Sequence, residues 1–156
     1  MNPLLAKALG HVEEIHKDDK YGENPYMYHI NNVYRRVALG AFHVPDEILI
    51  KVCILALYHD AYEDHSNKVN LDWFAMTYGE DLKKSLLAIS FNKGHETREE
   101  YYQRVEKDYY ASFVKYHDAK ENAFNCYVEG NTEREKYYQA IVERFENCAL
   151  NVYAPT

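Results

Sequence analysis

The sequence predicts an all-α fold, and three observations lead to this prediction. Apolar residues recur at helical spacing along most of the chain, and the alternation of apolar and polar residues that indicates strands is nearly absent. Short runs rich in glycine, proline and asparagine separate the periodic segments and favour turns. Helices of this kind bury their apolar faces against one another, so we expect one compact multi-helix bundle spanning residues 1–156 as a single domain.

The first three helices are separated by two turns that contain proline. The turn at 22–25 ends the first helical pattern, and the turn at 44–46 ends the second. The third pattern is apolar from residue 48 to residue 58 and is therefore expected to be buried. These helices are predicted at 2–17, 26–42 and 46–62.

The later helices are bounded by turns at 92–94 and 130–132, which carry glycine and asparagine. The charged stretch at 96–107 is interpreted as a solvated helix face rather than a binding site. These helices are predicted at 70–78, 80–90, 98–126 with an internal break, and 132–150.

Composition and charge limit the classes of function. The formal net charge of -7 argues against a broad nucleic-acid-binding face, which relies on clustered Lys and Arg. Cys53, Cys126 and Cys148 form no CxxC pair and are expected to be core or helix-face residues rather than zinc or redox centres. The sequence has neither a signal-peptide pattern nor an apolar run long enough for a membrane span, so we expect a cytoplasmic location.

Four side chains that can bind or serve a metal ion lie within residues 59–64. His59 and Asp60 follow the buried apolar run, so they are predicted near the C-terminal end of the third helix. On a continuing helix, Glu63 and Asp64 lie one turn after the pair and share its face. This cluster indicates metal-assisted hydrolysis, provided that other helices supply further ligands.

Two further segments supply such candidates. His29 lies on the predicted first turn of the second helix, after a turn-forming stretch. Asp118 lies inside the long helical pattern, and Asn122 follows it one turn later on the same face. Imidazole and carboxylate donors from separate helices, with positions left for water, are typical of a mononuclear site for a divalent cation.

Three sequence blocks carry a resemblance to a known family. Residues 25–29 read PYMYH, residues 59–64 read HDAYED and residues 115–122 read KYHDAKEN. In this order they resemble the PYxxH, HDxxED and KxxDxxxN blocks of the RelA/SpoT-type guanosine tetraphosphate hydrolases, which are HD-domain metal-dependent phosphohydrolases. The resemblance covers about residues 20–125 and implies an all-α HD-domain bundle. Residues 88–101 are similar to small stand-alone HD proteins, including ones carried by bacteriophages.

The resemblance implies a metal-dependent hydrolase with a defined set of site residues. The expected substrate is a small nucleotide, with guanosine tetraphosphate first, and neither nucleic acid nor a membrane is an expected partner. One divalent ion is expected, Mn²⁺ first, with iron, zinc, cobalt and magnesium as alternatives. The implied residues are His29, His59, Asp60 and Asp118 as metal ligands, Glu63 and Asp64 as the catalytic pair that activates water, and Lys20 and Asn122 as substrate-binding residues.

The chain departs from the family pattern at four positions. Ile30 stands where proline is usual, and His65 stands where threonine is usual. His117 and Ala119 flank the last aspartate, where small and basic residues are usual. His65 and His117 are interpreted as residues that contact and orient the ligands.

Two other functions remain open at the level of the sequence. A different HD enzyme, such as a nucleotidase or a dNTP phosphohydrolase, would keep the ligands and select another leaving group. An HD-fold binding or interaction protein would keep the fold without turnover, and the intact Glu63 and Asp64 argue against it.

Overall fold

The chain forms a bundle of helices, which confirms the predicted all-α fold. The computed structural model describes residues 1–150, with side chains as far as Cys148, so the predicted domain extends beyond the described part at 151–156. No helix within 1–150 combines the length and the apolar character needed to cross a membrane. The helices are α1 Pro3–Ile15, α2 Met27–Gly40, α3 Asp46–Tyr58, α4 Ala61–Asp64, α5 Leu71–Tyr78, α6 Glu80–Ile89, α7 Arg98–Glu106, α8 Tyr109–Val128 and α9 Thr132–Leu150.

Two helices, α3 and α8, form the centre of the bundle. All seven residues of α3 from 52 to 58 are buried, as expected for a helix that is apolar on every side. Helix α3 packs against α1, α2, α6 and α8, while α8 packs against α2, α3, α6, α7 and α9. The C-terminal end of α3 therefore lies between α2 and α8, which carry the other predicted metal ligands.

The third predicted helix ends earlier than the sequence indicated. It was predicted to continue through residue 62, but α3 ends at Tyr58 and the short helix α4 begins at Ala61. The imidazole Nδ1 of His59 lies 2.7 Å from the carbonyl oxygen of Ala56, the group that a continuous helix would offer to the amide of Asp60. His59 and Asp60 thus lie directly after the C-terminal end of α3, in a turn between two helices.

The turn before α2 contains a small β-hairpin that the sequence did not predict. Strand β1, Lys20–Tyr21, pairs antiparallel with strand β2, Asn24–Pro25. Gly22 opens the two-residue loop between them with a φ of 59°, a conformation that glycine adopts without a steric penalty. The strands are too short to produce an alternating pattern, but they hold Tyr21 against the start of α2.

The break predicted within 98–126 is present between α7 and α8. The side chain of Asp108 accepts a hydrogen bond from the backbone N–H of Ala111 and so caps the start of α8. Thr97 and Glu100 form a reciprocal capping box at the start of α7. These side chains satisfy backbone donors that both helix starts leave without a helical partner.

We expect Leu86→Ala to lower the free energy of unfolding by about 2–5 kcal/mol, because Leu86 is fully buried and its removal leaves a cavity. Urea denaturation followed by circular dichroism measures this change. The control is Met76→Ala in the neighbouring α5, where the side chain is 86% exposed, and a change of no more than about 0.5 kcal/mol is expected. Equal losses in both variants would contradict the packing described here.

Candidate metal centre

The structure brings the four predicted metal ligands together from three parts of the bundle. His29 lies on the first turn of α2, His59 and Asp60 lie between α3 and α4, and Asp118 lies in α8. The Nε2 atom of His59 is 3.3 Å from Nε2 of His29 and 3.0 Å from Oδ2 of Asp60. The Oδ1 atom of Asp118 is 3.1 Å from Nε2 of His29 and 3.5 Å from Nε2 of His59. Donor atoms from residues far apart in sequence therefore face one point.

The donor chemistry of this cluster fits a divalent cation. The Nδ1 atom of His59 donates to the Ala56 carbonyl, so Nε2 faces the cluster and would supply its lone pair to a bound ion in place of a proton. The ring of His29 stacks on Tyr21 with centroids 4.6 Å apart and turns its Nε2 toward the same point. Two buried imidazole nitrogens and two carboxylates in mutual contact are a suitable ligand set for a borderline metal ion.

The cluster contains two carboxylates, Asp60 and Asp118, and Lys115 and the imidazole of His59 balance part of their charge. Burial favours the neutral form of Asp118, but Lys115 and the neighbouring imidazoles outweigh it and hold the pKa of its carboxyl well below the usual range. Burial likewise opposes the charging of His59, but Asp60 and Asp118 outweigh it and raise the pKa of its imidazole well above the usual value. Both carboxylates therefore stay ionised at neutral pH and attract a cation.

Asp118 is held in place by two residues of its own helix and by the hairpin. The amide Nδ2 of Asn122 donates to Oδ1 and to the backbone carbonyl of Asp118, at 2.8 and 3.1 Å. The hydroxyl of Tyr21 donates to Oδ1 of Asn122 at 2.7 Å, and Nζ of Lys115 donates to Oδ2 of Asp118 at 3.0 Å. Both N–H groups of Asn122 are thus used on Asp118, which favours a positioning role over the predicted contact with substrate.

Tyr26 and Lys115 are positioning residues that the sequence analysis passed over. The hydroxyl of Tyr26 donates to Oδ2 of Asp60 at 2.7 Å, and Lys115 bonds to Asp118 as described above. Each residue lies three positions before a predicted ligand, His29 or Asp118, inside a quoted sequence block. Residues three apart share a helix face, so this spacing was a signal for Lys115. Tyr26 precedes α2 and bonds to Asp60, a contact that no local spacing indicates.

The predicted catalytic pair lies beside the ligands. Glu63 lines the same cavity as His29 and Asp60, and its Oε2 accepts a hydrogen bond of 2.8 Å from the backbone N–H of Phe91. Asp64 instead faces the larger adjoining cavity, which Glu63 also lines. Burial, with the nearby Asp60, raises the pKa of Glu63 and raises the pKa of Asp64 to about 6. Glu63 is therefore the member of the pair that can reach a molecule held at the ligand cluster.

The ligand cavity has a volume of about 260 Å³ and carries cations that the sequence analysis did not select. Arg98 lines both this cavity and the adjoining one of about 860 Å³, with its guanidinium 3.9 Å from the ring centroid of Phe91. The stretch 96–107 is consequently not simply a solvated face, because Arg98 and Tyr102 face the cavity. Arg134, Tyr137 and Tyr138 of α9 also line it.

The remaining predicted residues lie outside the ligand cavity. Lys20 is exposed on β1 and lines a neighbouring cavity of about 340 Å³, which shares Asn122 and Arg134 with the ligand cavity. His117 packs against Phe113, with ring centroids 4.7 Å apart, and against α2, and burial lowers the pKa of His117 to about 4. It is therefore a core residue of the α2–α8 contact. His65 contacts Asp19, which lies after α1.

The fold has a known counterpart, although the sequence alone does not assign a family. No model of a known protein family matches the chain, and no curated protein matches it. The chain does match a solved structure described as a metazoan ortholog of SpoT that hydrolyzes ppGpp and plays a role in starvation responses. The TM-score is 0.73 at 19% identity, over 99% of this chain and 89% of that one. The two proteins share one helical fold over nearly their whole length.

We expect Asn122→Ala to weaken Mn²⁺ binding by about 10- to 100-fold, because Asp118 loses the amide that fixes its orientation. Isothermal titration calorimetry measures this change. The matched control is Asn125→Ala, one turn further along α8, where the amide bonds to Glu121 instead of a predicted ligand. Equal affinity in the parent and in Asn122→Ala would contradict the positioning role.

Proposed function

We propose that the chain is a metal-dependent phosphohydrolase that acts on a nucleotide, with guanosine tetraphosphate as the first candidate substrate. The observation that carries this proposal is the convergence of His29, His59, Asp60 and Asp118 on one point, at a cavity that all of them except His59 line. The resemblance of the three sequence blocks to the guanosine tetraphosphate hydrolases supports the choice of substrate. The shared fold with a protein described as hydrolyzing ppGpp agrees with it.

The four converging residues would hold one divalent cation. We propose Mn²⁺, because two imidazoles and two carboxylates suit a borderline to hard ion, with iron, zinc, cobalt and magnesium as alternatives. When bound, such an ion supplies Lewis acidity, which lowers the pKa of water and neutralises charge on a phosphoryl group.

Glu63 is the residue that we assign to proton transfer. Its carboxylate lines the ligand cavity, and the bond from the Phe91 N–H holds one oxygen and leaves the other available to a water molecule. Glu63 would orient this water and take its proton, and Asp64 would support it from the adjoining cavity. The water oxygen forms a bond to phosphorus while the bond from phosphorus to the ribose 3′-oxygen breaks. The proton that Glu63 takes from the water passes to this 3′-oxygen, so pyrophosphate and a nucleoside diphosphate are released.

Substrate phosphates would be held by the cations around the cavity. Arg98 and Arg134 both line it, and Lys115 adds charge beside Asp118. Lys20 lies in the neighbouring cavity and is assigned to a more distant part of the nucleotide. This arrangement suits a substrate that carries several phosphates rather than a neutral one.

The decisive experiment compares Mn²⁺-loaded parent with a His59→Ala plus Asp60→Ala variant on guanosine tetraphosphate, dNTPs and nucleoside monophosphates. We expect only the parent to release pyrophosphate from guanosine tetraphosphate, because the variant lacks two of the four donors. Tripolyphosphate or nucleoside products would identify another HD enzyme. A folded parent that turns over none of the panel would indicate a binding protein.

We expect Glu63→Gln to lower kcat by about 10²- to 10⁴-fold while Mn²⁺ content is unchanged, because the amide cannot take a proton. Steady-state pyrophosphate release and metal analysis by mass spectrometry measure the two quantities. Glu133→Gln is the control, since its side chain is 92% exposed on α9. If Glu63→Gln retains the parental kcat, proton transfer must be assigned elsewhere.

A further inference from the structure

A second cluster of side chains that can bind a metal lies where the segment after α1 meets the segment after α4. His16 follows the last residue of α1, Asp19 lies before the hairpin and His65 follows α4. One carboxylate oxygen, Oδ2 of Asp19, is 2.7 Å from Nδ1 of His16 and 2.5 Å from Nε2 of His65. The three donor atoms lie within 4.8 Å of one another, and none belongs to the first cluster.

Hydrogen bonds alone leave this cluster incompletely satisfied. Each imidazole must direct an N–H at the same Asp19 oxygen if the cluster holds no cation. His16 is 1% exposed, and its other nitrogen, Nε2, has no hydrogen-bond partner among the described residues. An ion bound at Nδ1 would leave Nε2 as it is, so the case for a cation rests on the two imidazoles that meet a single carboxylate oxygen.

We propose that His16, Asp19 and His65 form a second cation site, of a kind suited to Zn²⁺, with water completing the coordination. Two imidazoles and one carboxylate are a recurrent zinc ligand set that leaves an open position. This set has one carboxylate fewer than the first cluster, so it favours a borderline ion over a hard one such as Mg²⁺. The side chains of Asp19 and His65 are 29% and 22% exposed, which gives an ion a route of entry.

The position of this second site suggests what the ion does. It joins two segments that are 46 residues apart in sequence, and Lys68 adds a hydrogen bond of 2.9 Å to the carbonyl of Ile15 at the same junction. The ring of His16 also stacks on Tyr26 with centroids 4.8 Å apart, and Tyr26 donates to Asp60. A cation bound here would link the end of α1 to the segment that follows α4. Through the contact of His16 with Tyr26, it would also restrict the movement of a residue that bonds to Asp60 in the first cluster.

Metal stoichiometry tests this proposal without measuring turnover. The parent, His59→Ala plus Asp60→Ala, and His65→Thr are dialysed against micromolar Zn²⁺ and analysed by mass spectrometry, with folding checked by circular dichroism. We expect two ions per chain in the parent and one in each variant. His95→Thr, which removes an exposed histidine, is the control and should match the parent. Equal zinc content in the parent and in His65→Thr would overturn the proposal.

Thermal unfolding provides a second measurement. In the His59→Ala plus Asp60→Ala background, Zn²⁺ at about one hundred times its Kd should raise Tm by about 5–10 °C. Adding Asp19→Asn should abolish this rise while keeping a side chain of the same shape. No rise in the first protein, or an equal rise in both, would overturn the second site. Neither result depends on phosphohydrolase activity, so failure here leaves the proposed function untouched.

Discussion

The contact among four donors, of which His29, His59 and Asp118 are buried, is the constraint on which the rest of the site depends. Polar and charged groups removed from water need partners, and here most of those partners come from one another. Further partners are the Ala56 carbonyl, which accepts from His59, and Tyr26, Lys115 and Asn122, which donate to the two carboxylates. Helices α2, α3 and α8 must therefore keep their mutual positions if these contacts are to persist. The packing of the apolar core and the geometry of the donors therefore depend on the same positions of these helices.

Much of the fold and the ligand cluster could be predicted because the relevant signals are local. Helical periodicity placed the helices to within a few residues, and the spacing of the three sequence blocks selected the residues that the structure brings together. The predicted end of the third helix was wrong because hydrophobic periodicity does not show when a side chain binds a backbone carbonyl. The side chain of His59 does this. The hairpin was missed because two-residue strands carry no alternation.

Other parts of the site depend on tertiary contacts that no local pattern encodes. Arg98 lies in a charged segment that looks like an ordinary solvated face, and only the packing of α7 beside the ligand cavity gives it a role. Arg134 reaches the cavity because α9 packs along α8. Conversely, His117 adjoins a ligand in sequence but lies in the α2–α8 contact, away from the cavity. Adjacent residues on a helix point in different directions, so neighbourhood in sequence was a poor guide here.

The turn between α3 and α4 limits the sequence changes that are tolerated at this junction. On an unbroken helix, successive side chains diverge by about 100°, so neighbours could not easily address one small ion. Here both residues keep right-handed helical backbone angles and their side chains still meet, with Nε2 of His59 3.0 Å from Oδ2 of Asp60. A residue inserted between them would rotate one donor away from the other even if every apolar face stayed intact. Sequence changes that leave the apolar core intact are therefore not tolerated at the junction between His59 and Asp60.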